Sequence, residues 1–165
     1  MDRRTVVRDT RAMQQEKPFT DTHQTLGALL RMPYERMSGW LYAELRESGF
    51  EDIRPAFSAV LRNLGPGSSR VSELAARAGM TKQSMSYLVE QMQGCGLVTV
   101  TPDAQDRRAN TVQLTARGEK AVLTGIVLSK SYEERLAGLL GERKIAQLRS
   151  ILEELAAKLE TPDTR

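Results

Sequence analysis

The stretch from Val71 to Leu114 constrains the fold of this chain more than any other, because two short helical patterns precede strand-like runs. In its first part, apolar residues recur at the i, i+3, i+4, i+7 spacing of one helix face: Val71, Leu74, Ala75 and Ala78. Gly79 supplies the left-handed backbone that ends a helix, and Thr81 is a suitable N-cap for a second one. The stretch therefore predicts two helices joined by a tight turn.

The second helix is predicted to have one apolar and one polar side. The apolar side repeats the same spacing with Met85, Leu88, Val89 and Met92. The opposite side carries hydrogen-bonding groups instead of the usual Glu and Lys mixture: Lys82, Gln83, Ser84, Ser86 and Tyr87. Two helices joined by a short turn with Gly are typical of the helix-turn-helix motif, whose second helix enters the DNA major groove. Residues 81–94 are therefore predicted to form a recognition helix.

A hairpin, or wing, is predicted to follow this helix. Gly94 and Gly96 end the helix, the run Leu97–Thr101 is rich in β-branched residues, and Thr111–Leu114 alternates as a returning strand. The loop over residues 102–110 carries the sequence Asp106-Arg107-Arg108. Adjacent guanidinium groups on such a tip are suited to the narrow, negative minor groove, and the neighbouring carboxylate can orient one of them through a bidentate pair.

The order of motif residues across this region is specific. It comprises Leu74-Ala75, Gly79, Thr81, Leu88-Val89, Gly96-Leu97-Val98, Pro102-Asp103, Asp106-Arg107-Arg108, Leu114-Thr115 and Gly118. This order resembles the MarR family of winged-helix transcriptional regulators, over about a third of the chain. The resemblance implies a homodimeric regulator, most often a repressor, that reads a palindromic DNA operator and is not an enzyme.

One position departs from the family's pattern. Where Ser or Thr often stands three residues before Glu73, this chain has Arg70, so a capping box is not expected. Two alternatives stay open. Either Ser68 or Ser69 caps the helix one turn earlier, or Arg70 points at a DNA phosphate.

The predicted DNA-binding residues divide by role, because phosphate contacts position a protein on DNA while base contacts specify the sequence. Base edges or the thymine methyl group are assigned to Lys82, Gln83, Ser86 and Tyr87, and phosphates to Thr81 and Ser84. Arg107 or Arg108 would enter the minor groove with Asp106 as orienter, and Arg70 and Asn110 complete the set. The alternative function is a winged-helix module that binds protein without binding DNA.

Helical patterns flank the winged-helix stretch. Leu26, Leu29, Leu30, Met37, Leu41 and Leu45 follow a helical spacing that Pro33 interrupts, which predicts either a kink or a helix that begins at the proline. Arg54-Pro55 opens a further helix whose apolar residues are Phe57, Val60, Leu61 and Leu64, and Gly65-Pro66-Gly67 ends it.

The C-terminal region is predicted to form two helices, separated near Gly138 and Gly141. The last one has a heptad-like apolar seam of Ile145, Leu148, Leu152, Leu155 and Leu159. The seam packs either inside the chain or against the N-terminal helix of a second subunit. The second interpretation is favoured, because a lone recognition helix buries too little surface for specificity, and the resemblance implies a dimer whose terminal segments interlock.

The 165 residues therefore predict a mainly α fold with a small β-wing, in which a winged helix-turn-helix domain is joined to a helical dimerisation domain. We expect a flexible arm over residues 1–20, a dimerisation helix over 21–50, the DNA-binding domain over 51–118 and dimerisation helices over 119–165. The net charge is only +3, and the basic excess lies in residues 1–20 and 66–118. That distribution agrees with phosphate contact there.

Several other functions are excluded by what the sequence lacks. The single cysteine, Cys95, permits no internal disulfide or thiolate metal cluster, and His23 has no ligand set near it, so no metal, cofactor or catalytic site is predicted. Cys95 follows the recognition helix, where the helix dipole disfavours a thiolate, so redox sensing is not expected. The absence of a membrane-length apolar run and of a signal peptide predicts a cytoplasmic protein.

A ligand site is a further implication of the resemblance. Similar regulators commonly release DNA when a small aromatic or phenolic effector enters the cleft between the dimer lobe and the winged helix. The residues predicted to line such a cleft are Met37, Trp40, Phe57 and Arg62. The alternative interpretation is that Trp40 and Phe57 are core residues.

Overall fold

The computed structural model of the chain describes residues 25–65, 67–103 and 109–160. The chain divides into two units, one ending at Gly39 and the other beginning at Trp40, and the packing described below is that of the second unit. The elements in chain order are α1 (Leu26–Glu47), a 3-10 turn (Pro55–Phe57), α2 (Ser58–Leu61), β1 (Ser68–Arg70), α3 (Val71–Arg77), α4 (Lys82–Gly94), β2 (Val98–Pro102), β3 (Asn110–Leu114), α5 (Ala116–Leu140) and α6 (Glu142–Glu160). The predicted fold class, mainly α with a small β-wing, is confirmed.

The sheet has three antiparallel strands in the order β1-β3-β2. Val112 of β3 lies between Val100 of β2 and Ser69 of β1. The predicted hairpin is therefore only part of the sheet, and β1 was missed because three residues are too few to show alternation. Because Ser68 and Ser69 lie in this strand and α3 begins at Val71, neither serine caps the helix one turn earlier, and that alternative is wrong.

The turn between α3 and α4 has the predicted chemistry. Gly79 adopts φ +62°, the left-handed conformation that glycine tolerates best, and the Met80 amide donates to the Ala75 carbonyl at 2.9 Å. The Thr81 hydroxyl oxygen accepts the Ser84 amide at 3.1 Å and so caps α4. The turn residues thus hold the start of α4 in a fixed place.

The core of the second unit lies beneath α3, α4 and the sheet. Its fully buried side chains are Phe57, Val60, Leu74, Met85, Met92, Leu97, Val98 and Val112. Removing each large apolar side chain from water contributes about 1.5–3 kcal/mol. The predicted apolar sides of both helices are confirmed, with Ala78 and Leu88 only partly buried.

The bounds of α1 and α5 decide between positions that the sequence left open. Helix α1 continues through Pro33, so the helix does not begin at the proline. Helix α5 continues past Gly138, and the break falls at Gly141, whose φ is +90°. The helix predicted from Arg54-Pro55 does start with Pro at its first position, but it is short. None of the described helices has both the length and the apolar character needed to cross a membrane.

Candidate nucleic-acid interface

Helix α4 has one apolar side buried in the core and one polar side exposed to solvent. Met85, Val89 and Met92 anchor it in the core, whereas the opposite side is exposed at Lys82, Gln83, Ser84, Ser86 and Tyr87, the last with 59% of its surface accessible. No acidic residue lies in its first turn. Since a helix N-terminus carries partial positive charge, this end of α4 is suited to a negatively charged partner.

Arg70 binds the base of the wing. Its Nε and Nη2 donate to the two carboxylate oxygens of Asp103, each at 2.9 Å, and the Asp103 side chain is only 12% exposed. This bidentate geometry fixes both partners and ties the start of α3 to the end of β2. The pair could not be predicted from the sequence, because 33 positions separate its members. The predicted phosphate contact of Arg70 stays a prediction.

Arg70 is the N-cap residue of α3 and forms one of the two hydrogen bonds of a capping box. The Glu73 carboxylate accepts the backbone amide of Arg70 at 3.3 Å. The reciprocal bond cannot form, because an arginine side chain has no acceptor. The capping box was not expected from the sequence, and only one of its two hydrogen bonds is present.

The base of the wing is closed by hydrogen bonds between β2 and β3. The Asp103 amide donates to the Ala109 carbonyl at 2.9 Å, and the hydroxyl oxygens of Thr101 and Thr111 lie 3.1 Å apart. Asn110 is exposed at the start of β3. The predicted minor-groove residues Asp106, Arg107 and Arg108 lie outside the described residues, and their roles stay predictions.

A second arginine joins three segments behind α4. Arg117 Nη1 donates to the Cys95 carbonyl at 2.8 Å, and Nη2 donates to Asp52 Oδ1 at 2.9 Å. Its guanidinium carbon lies 5.6 Å from the centre of the Phe50 ring, within cation–π range. This group, here called the Arg117 bracket, was not found from the sequence, because its members are brought together only by the fold.

The bracket affects two ionisable groups. Burial acts to raise the pKa of Asp52, but the hydrogen bond and charge of Arg117 outweigh it and hold that pKa below its usual value. Burial raises the pKa of the Cys95 thiol, and the negative charge of Asp52 adds to the rise. The higher thiol pKa agrees with the expectation that a Cys95 thiolate is not favoured.

The residues predicted to bind an effector lie in different surroundings. Phe57 is 1% exposed and packs in the core, the position that the alternative interpretation gave it, and its ligand role stays a prediction. Trp40 packs against Tyr132 with ring centres 5.0 Å apart. Arg62 Nε donates to the Ser58 carbonyl at 3.3 Å. For Met37, Trp40 and Arg62 the ligand role stays a prediction.

The described ranges contain no group of three or more His, Cys, Asp or Glu side chains placed to hold a metal ion. His23 lies outside these ranges.

The sequence of this chain is similar to those of known transcriptional regulators. A family model described as the MarR family matches residues 54–109. HosA, a transcriptional regulator of Escherichia coli, is 34% identical over 91 residues, which are 54% of this chain and 67% of HosA. NicR, a transcriptional repressor of Pseudomonas putida, is 29% identical over 76% of this chain and 79% of NicR.

A further relative, a transcriptional activator of exopolysaccharide II synthesis named ExpG from Rhizobium meliloti, is 28% identical over 70% of this chain. The match spans 60% of ExpG. These relatives are named as regulators and not as enzymes, in agreement with the prediction of a non-enzymatic protein.

Solved structures share the fold. The transcriptional regulator Tm0710 of Thermotoga maritima superposes with a TM-score of 0.58 at 27% identity, over 83% of this chain and 95% of Tm0710. The repressor CouR, solved with a 23-mer DNA duplex, superposes with a TM-score of 0.64 at 24% identity, over 83% of this chain and 96% of CouR.

Proposed function

This chain belongs to the MarR family of winged-helix transcriptional regulators, and from that premise we propose that it acts as a homodimer that reads a palindromic DNA operator. Helix α4 would lie in the major groove and the wing in the adjacent minor groove. The observation that carries the proposal is the exposed polar face of α4, seated on side chains that are buried in the core.

The arrangement of α4 supports contact with bases. Lys82 and Gln83 lie in its first turn, next to the Thr81 cap, and the N-terminal residues of a recognition helix are those that reach base edges. Gln offers both a donor and an acceptor to adenine, whereas Lys favours guanine. Thr81 and Ser84 share a hydrogen bond and lie where backbone phosphates would pass.

The dimer part of the proposal is supported by apolar surface on the last helix. Ile145 is buried, but the remaining seam of α6 is exposed: Leu148, Leu152, Leu155 and Leu159, with Ile151 beside them. Further exposed apolar side chains lie on α1 and α5, among them Leu29, Leu123 and Ile126. Because an exposed apolar seam like that of α6 is typical of an interaction site, we propose that a second copy covers the seam.

The wing is tested by a salt titration. The double variant Arg107→Ala/Arg108→Ala should bind a duplex more weakly, and the slope of log affinity against log salt should become shallower by about 0.9 for each phosphate that the variant no longer neutralises. The matched control is Arg143→Ala/Lys144→Ala, which removes two neighbouring cations at the start of α6. A slope equal to that of the unmodified chain would count against the wing contact.

The alternative, a winged helix that binds protein, is separated from this proposal by retention on heparin together with a gel shift on the DNA upstream of the protein's own gene. A DNA-binding regulator is retained and shifts that DNA. A protein-binding module does neither. The lack of acidic residues in the first turn of α4 favours the DNA-binding function.

We further propose repression as the mode of regulation and a small aromatic acid as the effector. NicR is named a repressor, whereas ExpG is named an activator. A reporter gene placed behind the operator therefore tests whether this protein lowers or raises transcription.

Aromatic carboxylates should change the thermal stability of the protein or its affinity for DNA, because a ligand that prefers one state shifts its population. The proposal carries with it a cytoplasmic location, where the operator is accessible.

A further inference from the structure

The Arg117 bracket lies at the opposite end of α4 from the base-reading residues. The last carbonyl groups of a helix have no partner within the helix and carry partial negative charge. Arg117 donates to the carbonyl of Cys95, the C-cap of α4, at 2.8 Å. The guanidinium therefore satisfies and holds the C-terminal end of the candidate recognition helix.

The other acceptor in the bracket lies on a rigid loop. The Phe50 amide donates to the Leu45 carbonyl at 3.0 Å, and the Ile53 amide donates to the Phe50 carbonyl at 3.2 Å. Both Phe50 and Ile53 are buried in the core. Asp52, placed between them, is thus fixed to the end of α1, and Arg117 links that end to α4.

The first turn of α5 is joined to the same place by close packing. Thr115 donates its hydroxyl to the Gly96 carbonyl at 2.6 Å and its amide to the Leu97 carbonyl at 3.0 Å. A Cβ atom at Gly118 would overlap the Leu97 carbonyl oxygen. The start of α5 and the end of α4 therefore form one rigid junction.

We propose that Arg117 is a positioning residue that sets the angle at which α4 is presented, and through it the spacing of DNA half-sites that the dimer accepts. The planar guanidinium has donors that point in different directions, so one side chain joins Cys95 and Asp52 at once, which a lysine cannot do in the same geometry. The inference rests on the proposed function, because spacing has meaning only for a dimer that reads two half-sites.

The test measures the affinity of the full chain for a series of duplexes in which the spacing of the selected half-sites changes by single base pairs. The unmodified protein should prefer one spacing. Arg117→Gln should lose about tenfold in affinity at that spacing and much less at its neighbours, since a misplaced group costs most where the fit is tightest. Its salt slope should be unchanged, because the same phosphates are neutralised.

Three variants keep the test specific. Arg135→Gln makes the same chemical change at an exposed position of α5 and should behave like the unmodified chain. Arg117→Lys keeps the charge but should show the same flattened spacing profile as Arg117→Gln. Adding Asp52→Asn to Arg117→Gln should cause little further loss, because coupled residues are not additive.

Distinct results overturn distinct claims. If Arg117→Gln lost the same affinity at every spacing, Arg117 would only stabilise the fold. If Arg117→Lys kept the affinity and spacing preference of the unmodified chain, Arg117 would only supply charge. Either result would overturn the positioning role. If Arg117→Gln bound the duplexes with the same spacing profile as the unmodified chain, the positioning role would also be overturned. Failure of the unmodified chain to bind any duplex would overturn the proposed function together with this inference.

Discussion

At position 118, the packing of α5 against the Leu97 carbonyl allows only a glycine without rearrangement. Its site in the first turn of α5 leaves no room for a methyl group beside the Leu97 carbonyl. Gly118→Ala should therefore lower the free energy of unfolding by about 1–3 kcal/mol, the usual cost of overpacking, as measured by urea denaturation. Gly125→Ala on the same helix is the control, because nothing lies within 4 Å of its Cβ position. It should gain about 0.5–1 kcal/mol.

Equal stability of Gly118→Ala and the unmodified chain would contradict this explanation of the junction. The sequence motif identified Gly118 by resemblance, but the reason for a glycine there was not visible from the sequence. The obstructing carbonyl belongs to Leu97, which is distant along the chain, and its approach depends on the tertiary fold.

Asp52 gives a pH dependence with a definite sign. Because the folded-state pKa is lowered below the ordinary value of 3.8, the ionised carboxylate stabilises the fold at pH values above that number, and this contribution is lost as the pH falls through the folded-state pKa. The difference in unfolding free energy between the unmodified chain and Asp52→Asn should be constant from about pH 5 to pH 8 and should shrink below about pH 4. A difference that grows on acidification would contradict the assignment.

At the scale of elements, local patterns predicted α3, the turn and α4, because their signals lie within a few residues of one another. The apolar spacing, Gly79 and the Thr81 cap each act locally. Strand β1 and the pairing of Arg70 with Asp103 could not be predicted in this way. Both depend on contacts between residues more than 30 positions apart.

The Arg70 and Asp103 pair predicts how the wing is held. Arg70→Lys cannot reproduce a bidentate pair, so the base of the wing should open more often while the core stays closed. Hydrogen exchange of the Asp103 amide, bonded to Ala109, should become faster, and exchange of the buried part of α4 should not change. Arg31→Lys, in an exposed pair with Glu35, is the matched control. Unchanged exchange at Asp103 would contradict the role of the pair.

For the whole molecule, the sequence predicted an apolar seam on α6 but left its partner open. The structure of a single chain leaves most of that seam exposed, which is the reason for proposing a dimer. The seam could not be assigned from sequence alone, since the same heptad spacing occurs in helices packed within one chain.

The dimer predicts a mass near twice 18.4 kDa in sedimentation equilibrium. Leu152→Lys/Leu155→Lys should shift the population towards the monomer, because two charges would be buried without partners. Ser150→Lys adds a charge at another exposed position of α6 and should leave the mass unchanged. A monomeric unmodified chain at micromolar concentration would contradict the proposed assembly.

The central claim, that the polar face of α4 reads DNA as one half of a symmetric pair, is tested most directly by selecting bound sites from random duplexes. The proposal predicts an enriched two-fold-symmetric sequence whose half-sites lie about one helical turn, on the order of 34–36 Å, apart. Substitution of Gln83 should alter the preferred base at one position in each half-site. Recovery of no enriched sequence, or of a single asymmetric half-site, would contradict it.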